Sequence, residues 1–204
     1  MQSGRLIARR RDGEYITDHS PRNPERDHLS LFLRPCLASP RLRYICIASN
    51  PHRRINLTPA LISHRSNLAD LLVAGFVSVR FDLPALNVFL SRLRPSEPST
   101  LAFSSPELLG GTWASALESL RAARKSNGGD IVLSRPSGAE CAELTKAQYS
   151  AIFRGRGPQT LVEQFLNGHK MGRIFKDDYP NPLLADMDED DSERYRPRLT
   201  FEPL

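Results

Sequence analysis

Residues 58–95 have the sequence TPALISHRSNLADLLVAGFVSVRFDLPALNVFLSRLRP, which contains the clearest alternation of helix and strand patterns in the chain. Thr58 followed by Pro59 is typical of a helix start, because the threonine side chain caps and the proline fits the first turn. Gly75 is typical of a helix end, where the backbone turns left-handed. We therefore expect a first helix that begins at Thr58 and is closed by Gly75.

A strand and a second helix follow directly. Apolar residues alternate with polar ones over a short stretch, which predicts a half-buried strand at Val77, Val79 and Phe81. From Pro84 to Pro95 the apolar spacing becomes helical, at Leu86, Phe89, Leu90 and Leu93. This order of elements favours an α+β or α/β fold, with a compact mixed sheet on which amphipathic helices pack.

The N-terminal part adds a hairpin and two further strands. Residues 4–17 flank Asp12-Gly13, a dipeptide that favours a hairpin turn. Residues 28–37 (HLSLFLRPCL) and 41–49 (RLRYICIAS) are each interpreted as strands. Together with the stretch described above, they make residues 1–94 an Arg-rich α/β part.

The rest of the chain divides into three parts. Residues 95–106 are rich in Pro and Ser and are predicted to be a linker. Residues 107–175 are predicted to be mainly helical, with helices capped by Thr112 and Thr145, a short strand at 130–134 and a helix at 158–167. Residues 176–204 lack periodicity and are expected to form a mobile acidic tail. No internal repeat is evident.

Charge is distributed unevenly along the chain. The 204 residues include 24 Arg but 4 Lys, and the formal net charge is +5. Residues 1–56 contain 11 basic and 5 acidic groups, whereas residues 141–204 contain 9 basic and 11 acidic groups. Because arginine binds phosphate through a planar fork of donors, the N-terminal third indicates an anionic partner.

Several chemistries are excluded by missing motifs. The sequence has no GxGxxG or GxxxxGK[ST] phosphate cradle and no GxSxG nucleophile elbow. None of the five histidines is spaced for zinc, and the three cysteines form no CxxC pair. The acidic run 186–193 resembles a calcium loop but has Asp191 where the turn requires Gly. Cys141 with His169 is a conceivable nucleophilic dyad without supporting spacing. We predict no metal and no cofactor.

The predicted site is a basic surface. Proteins that bind single-stranded nucleic acid combine such surfaces with aromatic residues, on which the bases stack. The candidate aromatic residues here are Tyr15, Phe32 and Tyr44. The arginines expected to contact phosphates of a nucleic acid are Arg9, Arg10, Arg11, Arg41, Arg43, Arg53 and Arg54.

Residues 81–98, FDLPALNVFLSRLRPSEP, partly resemble the minimal F-box of plant-virus silencing suppressors and of cellular ubiquitin-ligase adaptors. The pattern places Leu or Ile three residues after the proline, where this sequence has Asn87, so the resemblance assigns no family. It implies a protein-binding helix, with contact residues Leu83, Leu86, Phe89 and Leu90.

Three hypotheses about function follow. The favoured one is a non-enzymatic, regulatory or accessory RNA- or DNA-binding protein. The first alternative is a protein–protein adaptor, viral effector or immunity-type protein that acts through the 83–93 helix. The second is a metal-independent nuclease or transferase. No apolar run approaches the ~18 residues of a membrane span, and no secretory signal is present, so we expect an intracellular, cytoplasmic location without membrane contact.

Overall fold

The structure is a computed structural model in which strands, short helices and their connections are described for most of the chain. The described residues are 6–9, 15–17, 33, 35–37, 39, 41–62, 68–93, 98–154, 160–171, 174–176 and 178–184. For the strands at 6–9, 15–17, 169–171 and 174–176 the backbone alone is described.

The strands are short, and most are parallel to a neighbour. They are β1 Leu6–Arg9, β2 Tyr15–Thr17, β3 Tyr44–Ala48, β4 Ile55–Asn56, β5 Val73–Val77, β6 Val79–Phe81, β7 Thr100–Ser104, β8 Glu107–Leu108, β9 Ile131–Ser134, β10 Ser137–Gly138, β11 His169–Met171 and β12 Ile174–Lys176. The helices are α1 Thr58–Ile62, α2 Leu83–Ser91, α3 Trp113–Asn127, α4 Lys146–Phe153 and α5 Leu161–Asn167, with a 3₁₀ helix at Ala139–Ala142.

Two sheets are built from strands that alternate along the chain. The first is a six-stranded mixed sheet in the order β2-β1-β3-β5-β7-β9, in which β1 is antiparallel to both neighbours and the other pairs are parallel. The second is a four-stranded parallel sheet in the order β10-β8-β6-β4. The expected class, a mixed sheet with packed helices, is confirmed.

The parallel strands form a solenoid of four turns. Each turn has a longer strand in the first sheet, a corner, a short strand in the second sheet and then a helix, and the turns begin at β3, β5, β7 and β9. The corner residue has a left-handed backbone in the later three turns, with φ of 53°, 52° and 52° at Ser78, Ser105 and Arg135. Because the strands of successive turns pair in parallel, each turn stacks on the preceding one, as in repeat proteins.

The core lies between the first sheet and the helices. Inward side chains from the four turns are in register, which places Ile47, Phe76, Phe103 and Leu133 in one row. The rings of Phe76 and Phe103 stack with centroids 5.2 Å apart. Trp113, at the start of α3, is 0% exposed, and its ring meets Phe81 edge-on at 6.3 Å. The helices are thus fixed to the sheets by large aromatic contacts.

One polar side chain, that of Asn167, covers the outer edge of the last turn at Ile131. The side chain of Asn167, at the end of α5, accepts a hydrogen bond from the Ile131 backbone N–H at 2.9 Å and donates to the Ile131 carbonyl at 2.7 Å. Its amide takes the place of a neighbouring strand at this position of β9. Because Ile131 is 1% exposed, both backbone groups would otherwise lack a partner away from water.

Most helix predictions are confirmed. The second helix is α2, capped by the Asp82 carboxylate, which accepts from the Ala85 backbone N–H at 2.8 Å. Thr112 and Thr145 cap α3 and α4 as expected, and Gly128 ends α3 with φ of 68°. The 4–17 hairpin is present as the antiparallel pair β1 and β2, although Asp12 and Gly13 lie outside the described residues.

The first helix was predicted wrongly at its C-terminal end. Gly75 does not end α1; it lies in the middle of β5, where an added Cβ would come 3.3 Å from the Cys46 Sγ. The apolar run around Gly75 is a parallel strand packed between neighbours, and such strands carry no alternation that distinguishes them from helices.

The predicted strand at 28–37 is also wrong where it is described. Leu33, Pro35, Cys36 and Leu37 are helical, and the buried residues among them fall at i, i+3 and i+4. The buried Arg92 holds this segment against the end of α2, since its Nη2 donates to the Leu37 carbonyl at 3.1 Å.

Residues 100–104, which the sequence interpretation placed in a linker, form β7 instead. This strand pairs with β5 on one side and β9 on the other, so residues on both sides of 95–106 contribute to the same two sheets.

Within the tail, residues 178–184 pack on α3, where the buried Asn181 side chain donates to the Ala114 carbonyl at 2.9 Å. The predicted mobile segment beyond them, residues 185–204, lies outside the described residues.

Candidate functional site

The arginines selected from the sequence fall at two opposite edges of the first sheet. Arg41 and Arg43 precede β3, so they lie at the edge formed by the amino ends of the parallel strands. The antiparallel register of β1 pairs Arg9 with Tyr44, which brings the end of β1 to the same edge. We call Arg9, Arg41 and Arg43 the amino-edge arginines.

Arg43 is held by backbone contacts, and no described residue compensates the charges of Arg41 and Arg43. The carbonyl of Arg43 accepts hydrogen bonds from the N–H groups of Leu72 and Val73, at 2.8 and 3.1 Å. Arg41 is exposed and Arg43 is half-buried. Neither forms an ion pair with any residue that the structure describes. Arg10 and Arg11 lie outside the described residues.

Arg53 and Arg54 follow the end of β3, so they lie at the opposite edge of the first sheet, which is formed by the carboxyl ends of the parallel strands and is called the carboxyl edge below. With five residues at about 3.3 Å each, β3 separates the two edges by about 17 Å. Arg53 is exposed, whereas Arg54 is half-buried and pairs with Glu107 at 2.8 Å. The structure therefore places the predicted arginines in two groups.

The outer face of the first sheet connects these edges and has no charged side chain at its described positions in β3, β5, β7 and β9. Its exposed members are Tyr44 at 41%, Val73 at 38% and Val132 at 42%. Among these positions of β3, β5, β7 and β9, Tyr44 is the one aromatic, and it offers its ring for stacking. Tyr15 lies on β2, opposite Arg9, and Phe32 lies outside the described residues.

The sequence analysis did not select Arg80, which is the second arginine that contacts Glu107. Its Nε donates to the Glu107 Oε2 at 2.9 Å, from the neighbouring strand of the second sheet. The alternating pattern of 77–81 placed Arg80 on the polar face of a strand, but its partner is 27 residues away. That pairing depends on how the turns stack, which no local pattern reveals.

The alternative protein-binding helix contributes its apolar side to the core. Leu86, Phe89 and Leu90 are 1%, 0% and 7% exposed, and Leu83 is partly buried against the same core. The exposed positions of α2 are Pro84, Asn87 and Ser91, two of which are small or polar. This helix presents no apolar face to a partner in the fold described.

Nucleophilic and metal chemistry find no organised site in the described residues. Cys141 is buried, and burial together with the neighbouring Glu140 carboxylate raises the pKa of its thiol to about 12. A thiol with that pKa does not supply the thiolate that a Cys–His dyad requires. No group of three or more His, Cys, Asp or Glu side chains is suited to hold a metal among the residues described.

The three cysteines are expected to differ in reactivity. Cys46 is exposed on the outer sheet face, whereas Cys36 and Cys141 are buried. At pH 8 the Cys141 thiolate would be about one part in ten thousand. We therefore expect one fast-reacting thiol per folded chain with a chromogenic disulfide reagent, and three after unfolding in guanidinium. Cys46→Ser should remove the fast phase, and a fast phase of two thiols would contradict the described burial.

Of the helices described, none is both long enough and apolar enough to cross a bilayer. Comparisons with protein-family models, with curated proteins and with solved structures each gave no match to this chain. The role of the arginine groups must therefore follow from their own geometry and charge.

Proposed function

We propose that this protein is a non-enzymatic regulatory or accessory protein that binds nucleic acid through the amino-edge arginines, together with Arg10 and Arg11. The observation that supports the proposal is the position of Arg41 and Arg43 at the amino end of β3, the strand that begins with the exposed Tyr44. Guanidinium groups neutralise phosphates, and an adjacent aromatic ring stacks on a base. Arg53 and Arg54 supply further positive charge at the opposite edge.

This arrangement favours contacts to the sugar-phosphate backbone over reading of base edges. The middle row of the outer sheet face contains Gly75, Ala102 and Val132, which have no side-chain hydrogen-bonding groups for bases. Affinity should then depend on the number of neutralised phosphates and fall steeply with salt. Little discrimination between sequences of equal length is expected.

Removing two amino-edge charges tests the proposal. The double variant Arg41→Gln/Arg43→Gln is expected to weaken binding of labelled single-stranded RNA by about tenfold or more at low salt, because two charge-assisted contacts are lost. The slope of log affinity against log salt should fall by about 0.7 for each lost contact. The measurement is fluorescence anisotropy of the purified, nuclease-treated protein, repeated with duplex RNA and duplex DNA.

The matched control is Lys125→Gln/Lys146→Gln, which removes two positive charges from exposed positions on α3 and α4. If the control weakens binding as much as the arginine variant does, the contact is general attraction to a basic protein and the amino edge is not the site. Absence of binding by the unaltered protein at about 50 mM salt would refute nucleic-acid binding altogether.

Neither alternative function is favoured by a specific contact. An adaptor acting through α2 would need Leu86 and Phe89 at the surface, and both are buried. For a metal-independent nuclease or transferase, an activity screen of the five His→Ala variants remains the discriminating experiment. If the nuclease or transferase activity of the unaltered protein is unchanged in all five variants, no histidine of this protein is catalytic.

A further inference from the structure

The second sheet aligns polar residues from all four solenoid turns across its outer side. Its register pairs Asn56 with Arg80, Arg80 with Glu107, and Glu107 with Ser137. Arg54, which precedes β4, lies across this row and reaches Glu107 and Ser137. The row stands at the carboxyl edge of the first sheet, about 17 Å from the amino-edge arginines.

Both arginines of the row are fixed by the same carboxylate oxygen. The Arg54 Nη1 donates to the Glu107 Oε2 at 2.8 Å and to the Ser137 Oγ at 2.6 Å. The Arg80 Nε donates to the same Oε2 at 2.9 Å. Ser137 in turn donates to the Pro106 carbonyl at 3.2 Å, so this partner of Arg54 is itself anchored.

The charge of this row is not balanced. One carboxylate faces two guanidinium groups, and no other acidic side chain pairs with either of them in the part of the chain that is described. Arg53 and Arg135, both exposed, add positive charge next to Arg54 and Ser137. Holding like charges together disfavours the empty row, and a bound anion relieves that repulsion.

Hydrogen-bond donors remain for such an anion. The Nε and Nη2 of Arg54 and the two terminal nitrogens of Arg80 donate to no residue that the structure describes. The side chains of Arg54 and Arg80 are 21% and 44% exposed, so a ligand can reach both. Because Glu107 already orders the two guanidinium groups, an anion bound there has less side-chain entropy to overcome.

We propose that Arg54 and Arg80, held by Glu107, form a binding site for a phosphate group, which Arg53 and Arg135 flank. A phosphate matches paired guanidinium forks in charge and in the geometry of its oxygens. When the phosphate belongs to a nucleic acid, the inference rests on the proposed function and adds a second contact at the carboxyl edge. When it is a free phosphate, the site stands independently of that function.

The test compares two probes with the full-length protein: inorganic pyrophosphate in isothermal titration calorimetry, and single-stranded RNA in fluorescence anisotropy. Arg80→Gln is the main variant, because the exposed side chain can be changed without removing core contacts. We expect it to weaken binding of at least one probe by about tenfold, through loss of charge-assisted hydrogen bonds. Arg54→Gln should act in the same direction.

The control is Lys125→Gln, which removes one charge near the far end of α3. Trp113, at the start of α3, lies close to the polar row of the second sheet, because its indole N–H donates to the Ser137 carbonyl at 3.0 Å. Lys125 is 12 residues further along α3, which at about 1.5 Å per residue is a distance of about 18 Å. Circular dichroism and thermal melting establish that the variants remain folded.

The outcomes separate this site from the proposed function. Pyrophosphate binding that Arg80→Gln weakens, with no binding of RNA, supports the site and overturns the proposed function. RNA binding that Arg80→Gln weakens, with the Lys125→Gln control unchanged, supports the site as a contact to the nucleic-acid backbone. If neither Arg80→Gln nor Arg54→Gln weakens the binding of any probe that the unaltered protein binds, the site is overturned. RNA binding in that case leaves the proposed function standing. If the unaltered protein binds neither probe, both are overturned.

Discussion

Replacing Gly129 with alanine is expected to destabilise the folded protein by about 3 kcal/mol or more. A Cβ at this position would lie 1.6 Å from the Ser99 carbonyl oxygen and 2.5 Å from its carbonyl carbon. Both are backbone atoms, so no side-chain rotation relieves the overlap. Ser99 is buried and precedes β7, an internal strand of the first sheet, so the displacement would propagate into the core.

The neighbouring Gly128 provides the matched control. It has φ of 68°, and nothing lies within 4 Å of an added Cβ, so an alanine there experiences backbone strain alone. That strain costs about 1–2 kcal/mol. In urea unfolding followed by circular dichroism, the midpoint of Gly129→Ala should therefore be far below the midpoint of Gly128→Ala. Equal midpoints would show that the chain at 99 and the chain at 129 do not pass as closely as described.

The Trp113→Ala variant is expected to lose about 3–5 kcal/mol of stability, because a fully buried indole leaves a large cavity. Trp113 is 0% exposed and contacts the ring of Phe81, and its Nε1 donates to the Ser137 carbonyl at 3.0 Å. It therefore joins the second, third and fourth turns of the solenoid. Its loss should loosen the second sheet as well as α3.

Trp113→Phe separates the two contributions. The phenyl ring keeps most of the buried area but cannot donate to Ser137, so a loss of about 1–2 kcal/mol is expected. Because Trp113 is the sole tryptophan, the variants must be followed by far-ultraviolet circular dichroism rather than by fluorescence. If Trp113→Phe proves as unstable as Trp113→Ala, the hydrogen bond outweighs the packing that we assign to the ring.

The helices were the part of the fold that the sequence predicted best. Thr112, Thr145 and Gly128 act locally, through side-chain caps and a left-handed turn, so their signals are contained in a few adjacent residues. The buried strands were harder to predict. The strands at 73–77 and 100–104 have buried inner positions, but their outer positions carry apolar or small residues such as Val73, Gly75 and Ala102, so neither sequence shows a clear alternation.

The four-turn solenoid could not be predicted because few residues recur at equivalent positions of its turns. The stacked positions Ile45, Ala74, Leu101 and Ile131 differ in size, and the corner positions in later turns hold Ser78, Ser105 and Arg135. Without the stacking order, the contact between Arg54 and Glu107, 53 residues apart, has no sequence signal. The arginines themselves were identifiable from composition, whereas their division between two edges required the register of β3.

The amide of Asn167 has a consequence for how copies of this chain behave together. A sheet that ends in an open strand offers its backbone to the strands of other molecules, and such pairing begins aggregation. Here the amide occupies both the N–H and the carbonyl of Ile131, as a further strand would do. A foreign strand would first have to displace that side chain. At Ile131 the last strand of the solenoid is therefore closed to pairing with another chain, without the addition of another turn.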